Sequence, residues 1–177
     1  MDNGTMATVY LGLGTNMGDR AANLAAALDG IAALPGTRLM RRAGIYETAP
    51  VGGPAGQDDY LNTVCEAETT LSPGDMIAET QRIERELGRD RGPGAVRWGP
   101  RVIDIDILLW DDVTCRMSSP GGIELELPHP RMAERAFVLL PLAELAPELV
   151  HPGTGATIRE LVKRIDTNDE GIRRLSL

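Results

Sequence analysis

Little in this sequence is aromatic. Aromatic residues make up 3% of its 177 positions, and Phe137 is the single phenylalanine. Lysine is scarcer still: Lys163 stands alone, so nearly every cation is an arginine. The two cysteines, Cys65 and Cys115, are far apart and lack metal-ligand spacing. That excludes a disulfide framework and points to reduced, structural thiols. No apolar run of about 18 residues occurs, so no membrane-crossing helix is expected. No secretory leader is recognisable, and a cytoplasmic protein is the expectation. A net charge of −8 argues against non-specific binding to nucleic acid or an anionic membrane, and neither is expected as a partner. With no Ser–His–Asp arrangement and no nucleophilic cysteine motif, covalent catalysis is not expected either.

What remains is an ordinary globular composition, 42% hydrophobic and 25% charged, of a length that suits one domain. The domain is expected over residues 8–165, after a loose N-terminal segment 1–7 and before a polar tail 166–177 that receives no role. Thr8 to Gly14 reads as a first strand, with Val9, Leu11 and Leu13 on one face. The glycines from Gly12 to Gly18 then read as a tight turn, without the spacing of a dinucleotide or Walker loop. Asp19 caps a helix from Arg20 to Leu34, buried through Leu24, Leu28, Ile31 and Leu34. A second strand spans about Arg38 to Tyr46. The loop from Thr48 to Asp59 is long enough for a mobile, functional role. Tyr60 to Glu68 is a third strand, and Ser72-Pro73 starts a second helix carrying Gln81 and Glu84. Strand, helix, strand, strand, helix, strand is the order of a ferredoxin-like antiparallel sheet, an α+β fold. A hairpin between Val113 and Leu127 follows. Later helices, the last over Thr157 to Ile165, would cover the other face and make a three-layer αβα sandwich.

The most informative stretch runs from Arg97 to Trp110. Arg97-Trp98-Gly99-Pro100-Arg101 ends a loop from Arg89 that also holds Arg91, and this loop reads as a flexible basic lid. The strand after it puts Ile103, Ile105, Ile107 and Leu109 on one face, with Asp104, Asp106, Leu108 and Trp110 on the other. An Asp-x-Asp pair on a strand is either a solvated edge or a place where two repelling carboxylates share a divalent cation, with magnesium suited to hard oxygens. Guanidinium groups just ahead of it favour a polyphosphate cradle. Tyr60, Trp98 and Phe137 lie near element ends. They read either as core or as rings around a flat heteroaromatic ligand, where stacking adds roughly 0.5–1.5 kcal/mol. Asn62, one strand step from Tyr60, could read a ring edge. His129, between two prolines, is either structural or, with Arg131 and Arg135 nearby, a phosphate contact.

These residues match a family. The chain resembles the 6-hydroxymethyl-7,8-dihydropterin pyrophosphokinases in Arg97-Trp98-Gly99-Pro100-Arg101 with Asp104 and Asp106. The likeness extends to Gly14-Thr15-Asn16, Tyr46-Glu47-Thr48, Tyr60-Leu61-Asn62, Gln81-Arg82-Ile83-Glu84, Gly88-Arg89 and Pro128-His129 with Arg135 and Phe137. The resemblance implies transfer of the terminal diphosphate of ATP to a pterin hydroxymethyl group, releasing AMP, in folate biosynthesis. It implies that Asp104 and Asp106 hold two Mg2+ ions and that Arg89 and Arg101 assist transfer. It implies nucleotide contacts from Gln81, Glu84, Arg91, His129 and Arg135. It implies a pterin site of Thr48, Tyr60, Asn62, Trp98 and Phe137. A monomer is expected. The rival classes are a metal-dependent hydrolase or nuclease on the same carboxylates, and an inactive nucleotide-binding domain.

Overall fold

A computed structural model describes residues 5–89, 99–118, 122, 124–165 and 171–176. Strand β1 (Ala7–Thr15) buries Val9, Leu11 and Leu13 on one face. Helix α1 (Arg20–Ala32) begins where the Asp19 carboxylate accepts the Ala22 N–H. The expected second strand is two: β2 (Thr37–Arg42) and β3 (Ile45–Thr48), both paired to β4 (Tyr60–Thr69). The break falls at Ala43-Gly44. Arg42 lies opposite Cys65 and Tyr46 opposite Asn62, so this arm has one residue more than its partner and must bulge. Ser72 caps α2 (Pro73–Glu86), with Pro73 in the first turn. Strand β5 (Asp104–Trp110) follows, then the hairpin β6 (Cys115–Ser118) and β7 (Glu124–Leu127) as a separate two-stranded sheet. A 3-10 turn (Met132–Glu134), α3 (Ala136–Leu145) and α4 (Ile158–Arg164) complete the helical content of the described residues.

The sheet order is β5-β1-β4-β3-β8, where β8 is Arg173–Leu175, with β2 beside β3 on the same edge of β4, and all these pairs are antiparallel. Its first four strands follow the ferredoxin-like order expected from the sequence. One core lies between the sheet and α1 and α2, around Leu11, Leu24, Ile31 and Ile105. A second lies between the opposite face and α3 and α4, around Leu108, Leu139, Leu142 and Ile158. The result is the expected α+β sandwich of three layers. Cys65 and Cys115 are both free thiols.

Gly12 and Gly14 lie in β1, as the expected strand from Thr8 to Gly14 has them, and Gly18, with φ of 63°, serves the bend into α1. Two other expectations are corrected. The polar tail supplies a strand, β8 (Arg173–Leu175), which pairs with β3 and extends the sheet. The alternation along β5 fails after Ile107. Leu11 pairs with Ile107 but Tyr10 pairs with Leu109, so Leu108 is an extra residue, a β-bulge. The bulge exchanges the faces of the next two residues. Leu109 joins Leu108 in the α3/α4 core, and Trp110 joins Ile105 and Ile107 in the other.

Leu139 is fully buried in the α3/α4 core. Leu139→Ala is expected to lower unfolding free energy in urea by about 2–5 kcal/mol, and a loss below about 1 kcal/mol contradicts this packing.

Candidate active site

Asp104 and Asp106 stand on the sheet face that carries α3. The β1 residues directly opposite them are glycines: Gly14 faces Asp104 and Gly12 faces Asp106. On the next strand Asn62 and Val64 continue the same two rows. A Cβ at Gly14 would sit 2.9 Å from Asn62 Oδ1, and one at Gly12 would sit 3.3 Å from Leu108 Cδ1. The glycine pair therefore keeps the floor open between the carboxylates and Asn62. Above it lies a cleft of about 590 Å³.

Guanidinium groups hold Asp104. Arg89 Nη1 donates to one carboxylate oxygen and Arg101 Nη1 to the other. Arg89 also donates to Glu84, whose Oε1 accepts the Ile105 backbone N–H at 2.7 Å. Glu84 is fully buried, so it stands behind the cleft and anchors Arg89 to the base of β5. Burial alone would raise the Asp104 carboxyl, but Arg89 and Arg101 outweigh it and hold the group below the ordinary value. Asp106 goes the other way. Burial first, then the charge of Asp104, pushes it up to about 7. The neighbours are thus one firmly ionised carboxylate and one that resists ionisation, as two like charges at close quarters require.

His129 follows the cis Leu127–Pro128 peptide and donates its backbone N–H to the Leu108 carbonyl at 2.9 Å, which fastens it to β5. Burial, and then the charge of Arg135, push its imidazole down to about 4, so the ring is neutral at pH 7. Its Nδ1 accepts the Arg131 N–H at 3.2 Å. That assigns the proton to Nε2, which lies 4.0 Å from Asp106 Oδ2 and can donate into the cleft.

The far wall comes from β3, β4 and α3. Asn62 Nδ2 donates to the Thr48 hydroxyl at 2.9 Å, which orients the amide and turns Oδ1 toward the Gly14 row. Half-buried Tyr60 and Phe137 line the cleft, and the Arg135 guanidinium lies 5.5 Å from the Phe137 ring centroid. A second cavity of about 300 Å³ opens beside Ile77, Gln81, Ile105 and Ile107. Asp106 and His129 line both cavities and form their junction.

The structure therefore gathers Arg89, Arg101, Asp104, Asp106, His129 and Arg135 around the main cleft. Thr48, Tyr60, Asn62 and Phe137 line the same cleft. Gln81 lies in the second cavity, and Arg91, Arg97 and Trp98 lie outside the described residues. Asn16, to which the sequence reading gave no role, is the joint between these parts. It is buried; its backbone N–H donates to the Arg101 carbonyl at 3.0 Å, and its Oδ1 accepts the Arg101 N–H at 2.7 Å. Its Nδ2 reaches the Asp58 carbonyl at 3.1 Å. Its place in Gly14-Thr15-Asn16, one of the stretches that carry the resemblance, is the signal in the sequence that marks it.

The folded protein keeps the Asp106 proton up to about pH 7, whereas an ordinary carboxyl of pKa 3.8 releases it earlier. Asp106 therefore contributes stability that is full below 3.8 and is lost as pH rises toward about 7. Asp104 has the opposite sign: its contribution is lost as pH falls through its lowered value. A carbon-detected NMR titration should find one aspartate carboxyl titrating near 7. Asp104→Asn should move that midpoint at least about one pH unit toward the ordinary carboxylate value. An unmoved midpoint contradicts the coupling.

No helix among the described residues is long and apolar enough to cross a membrane. Comparison with known proteins agrees with the geometry. The family model for 7,8-dihydro-6-hydroxymethylpterin-pyrophosphokinase (HPPK) matches residues 10–147. A 2-amino-4-hydroxy-6-hydroxymethyldihydropteridine pyrophosphokinase of Methylorubrum extorquens is 44% identical over 170 residues, spanning 96% of this chain and 99% of its own. One of Bacillus subtilis is 39% identical, spanning 93% and 87%. Among solved structures, a Plasmodium falciparum HPPK-DHPS superimposes with a TM-score of 0.73 at 18% identity, which is a likeness of fold. It covers 92% of this chain, which spans only 45% of that longer one. The chain belongs to the 7,8-dihydro-6-hydroxymethylpterin-pyrophosphokinase family.

Proposed function

We propose that the main cleft and the adjoining cavity are where this chain carries out its family's reaction, pyrophosphoryl transfer to hydroxymethyldihydropterin in folate synthesis. ATP is the diphosphate donor. The observation that carries this reading is the junction at Asp106 and His129, shared by two cavities of different character. The smaller, with apolar Ile77, Ile105 and Ile107 beside the Gln81 amide, suits a purine. The larger, with Tyr60, Phe137 and the oriented Asn62, suits a pterin ring. A triphosphate joining them would cross the carboxylate pair under the arginines.

Each side chain then has a role that its surroundings support. Thr48 and Asn62 fix the edge of the pterin, while Tyr60 and Phe137 hold its faces. Neutral His129 donates Nε2–H to a phosphate oxygen, and Arg135 offers a positive charge beside it. Arg89 and Arg101, aimed at Asp104, are close enough to turn toward phosphate oxygens and neutralise charge that develops during transfer. Arg91 and Trp98, by resemblance, belong to the same machinery. Glu84 serves as a positioning residue through Arg89 rather than as a nucleotide contact. The pterin hydroxyl oxygen attacks the β-phosphorus, and AMP leaves in line on the opposite side. Orientation and charge neutralisation carry such a step, and no covalent protein intermediate is needed.

The carboxylates also fit magnesium. Among the described residues no cluster of three or more metal-binding side chains stands ready. Two carboxylates are nonetheless a fitting donor set for Mg2+, which completes its shell with substrate phosphates and water. Asp104 and Asp106 would hold two such ions, which when bound neutralise the triphosphate and polarise the phosphorus under attack.

With ATP, Mg2+ and 6-hydroxymethyl-7,8-dihydropterin, phosphorus NMR should show AMP and a pterin diphosphate. Asp106→Ala should lower kcat/KM by at least about a hundredfold while leaving the circular-dichroism spectrum unchanged. Formation of ADP, or phosphate release without the pterin, would reject the reading.

A further inference from the structure

The C-terminal strand reaches the pterin wall through a chain of charged contacts that the reaction itself does not use. Glu47 is the third residue of the four-residue strand β3, next to Thr48, and is almost fully buried. Its neighbour across the sheet edge is Arg173 of β8. Arg173 grips Glu47 Oε2 with two nitrogens, Nε at 2.7 Å and Nη2 closer still. The other oxygen, Oε1, accepts from Arg20 Nη1 at 3.0 Å. That same Arg20 nitrogen donates to the Asp59 carbonyl at 2.6 Å.

These contacts sit where a loop leaves the sheet and returns. Thr48 and Tyr60 are paired, and between them residues 49–59 form one wall of the main cleft through Pro50, Val51 and Gly52. Arg20 ties the departing end, at Glu47, to the returning end, at Asp59. Gln57 braces the interior by donating to the Gly52 and Pro54 carbonyls at 3.3 and 3.2 Å. The arrangement is competitive. A buried carboxylate must keep its charge compensated. If Arg173 is removed, Arg20 becomes the nearest remaining compensation for Glu47, and its hold on the Asp59 carbonyl weakens. The loop end is then released, together with the Thr48 hydroxyl that orients Asn62.

We infer that Glu47, clamped between Arg20 and Arg173, is a positioning residue for pterin binding, and that the C-terminal strand sets pterin affinity through it. The inference rests on the reading of Thr48, Tyr60 and Asn62 as the pterin wall. It makes no claim on the nucleotide side.

The test uses the full chain and four variants, measuring 6-hydroxymethylpterin binding by fluorescence and steady-state kinetics for both substrates. Arg173→Ala should weaken pterin binding about five- to tenfold, with KM for ATP and kcat within about twofold. Arg173→Lys should recover part of the loss. Arg174→Ala is the control, since Arg174 lies on the same strand but pairs with Glu144, away from Glu47. It should leave pterin binding unchanged. Pterin affinity unaffected by Arg173→Ala overturns the inference. So does an equal loss in Arg174→Ala, or a parallel loss for ATP, because each would mean general weakening of the strand. Asn62→Ala separates the two levels. If it leaves pterin binding intact, the pterin-wall reading has failed. If it weakens binding while Arg173→Ala does not, only the present inference has failed.

Discussion

Two carboxylates held side by side on one strand impose a constraint that the rest of this protein answers. Asp104 and Asp106, held side by side, cannot both ionise cheaply. The fold answers for Asp104 with Arg89 and Arg101, and leaves Asp106 short of compensation, its carboxyl pushed up to about 7. On the proposed reading, such a carboxylate pair beside a row of glycines would take a cation and the phosphates it accompanies. The three-layer architecture serves this arrangement. The α1/α2 core packs Ile103, Ile105 and Ile107 beneath the strand, which commits the alternate residues Asp104 and Asp106 to the cleft.

The same strand separates the two cavities and yet lets them communicate. Its first residues alternate strictly, and its last ones do not. The bulge at Leu108 turns Leu109 into the α3/α4 core and Trp110 into the other, so β5 closes both layers beyond the site. The Leu108 carbonyl also holds the His129 backbone, which brings a neutral imidazole next to Asp106 from a segment more than a hairpin away. Asn16 joins the arginine-bearing segment at Arg101 to the 49–59 loop at Asp58. Through these joints the charged and the aromatic residues of the cleft are parts of one frame.

Much of this was legible because period and chemistry agreed. The 2-residue alternation at Val9, Leu11 and Leu13, and at Ile103, Ile105 and Ile107, located the central strands and the face of the carboxylates. The Asp19 and Ser72 caps located the helices. The ferredoxin-like order followed from these. What was not legible depends on partners distant in sequence. The strand from Thr8 to Gly14 was legible, but why Gly12 and Gly14 carry no side chain was not: Leu108 and Asn62, brought across by pairing, show it. The bulge at Leu108 is a property of the β1–β5 register, so periodicity alone put Leu109 and Trp110 on the wrong faces. The β8 strand is three residues long, two of them arginines, and reads as solvated tail until Glu47 and Glu144 are seen to receive it. Glu84 was legible as a helix residue near the site, but its burial behind Arg89 was not.

The central claim is that the Asp104/Asp106 pair couples the nucleotide to the protein through a divalent ion. Isothermal titration calorimetry with a non-hydrolysable ATP analogue, with and without Mg2+, tests it directly in the intact chain and in Asp106→Asn. The account predicts that Mg2+ tightens binding at least about tenfold in the unaltered protein and has little effect in Asp106→Asn. An equal enhancement by Mg2+ in both proteins would contradict it.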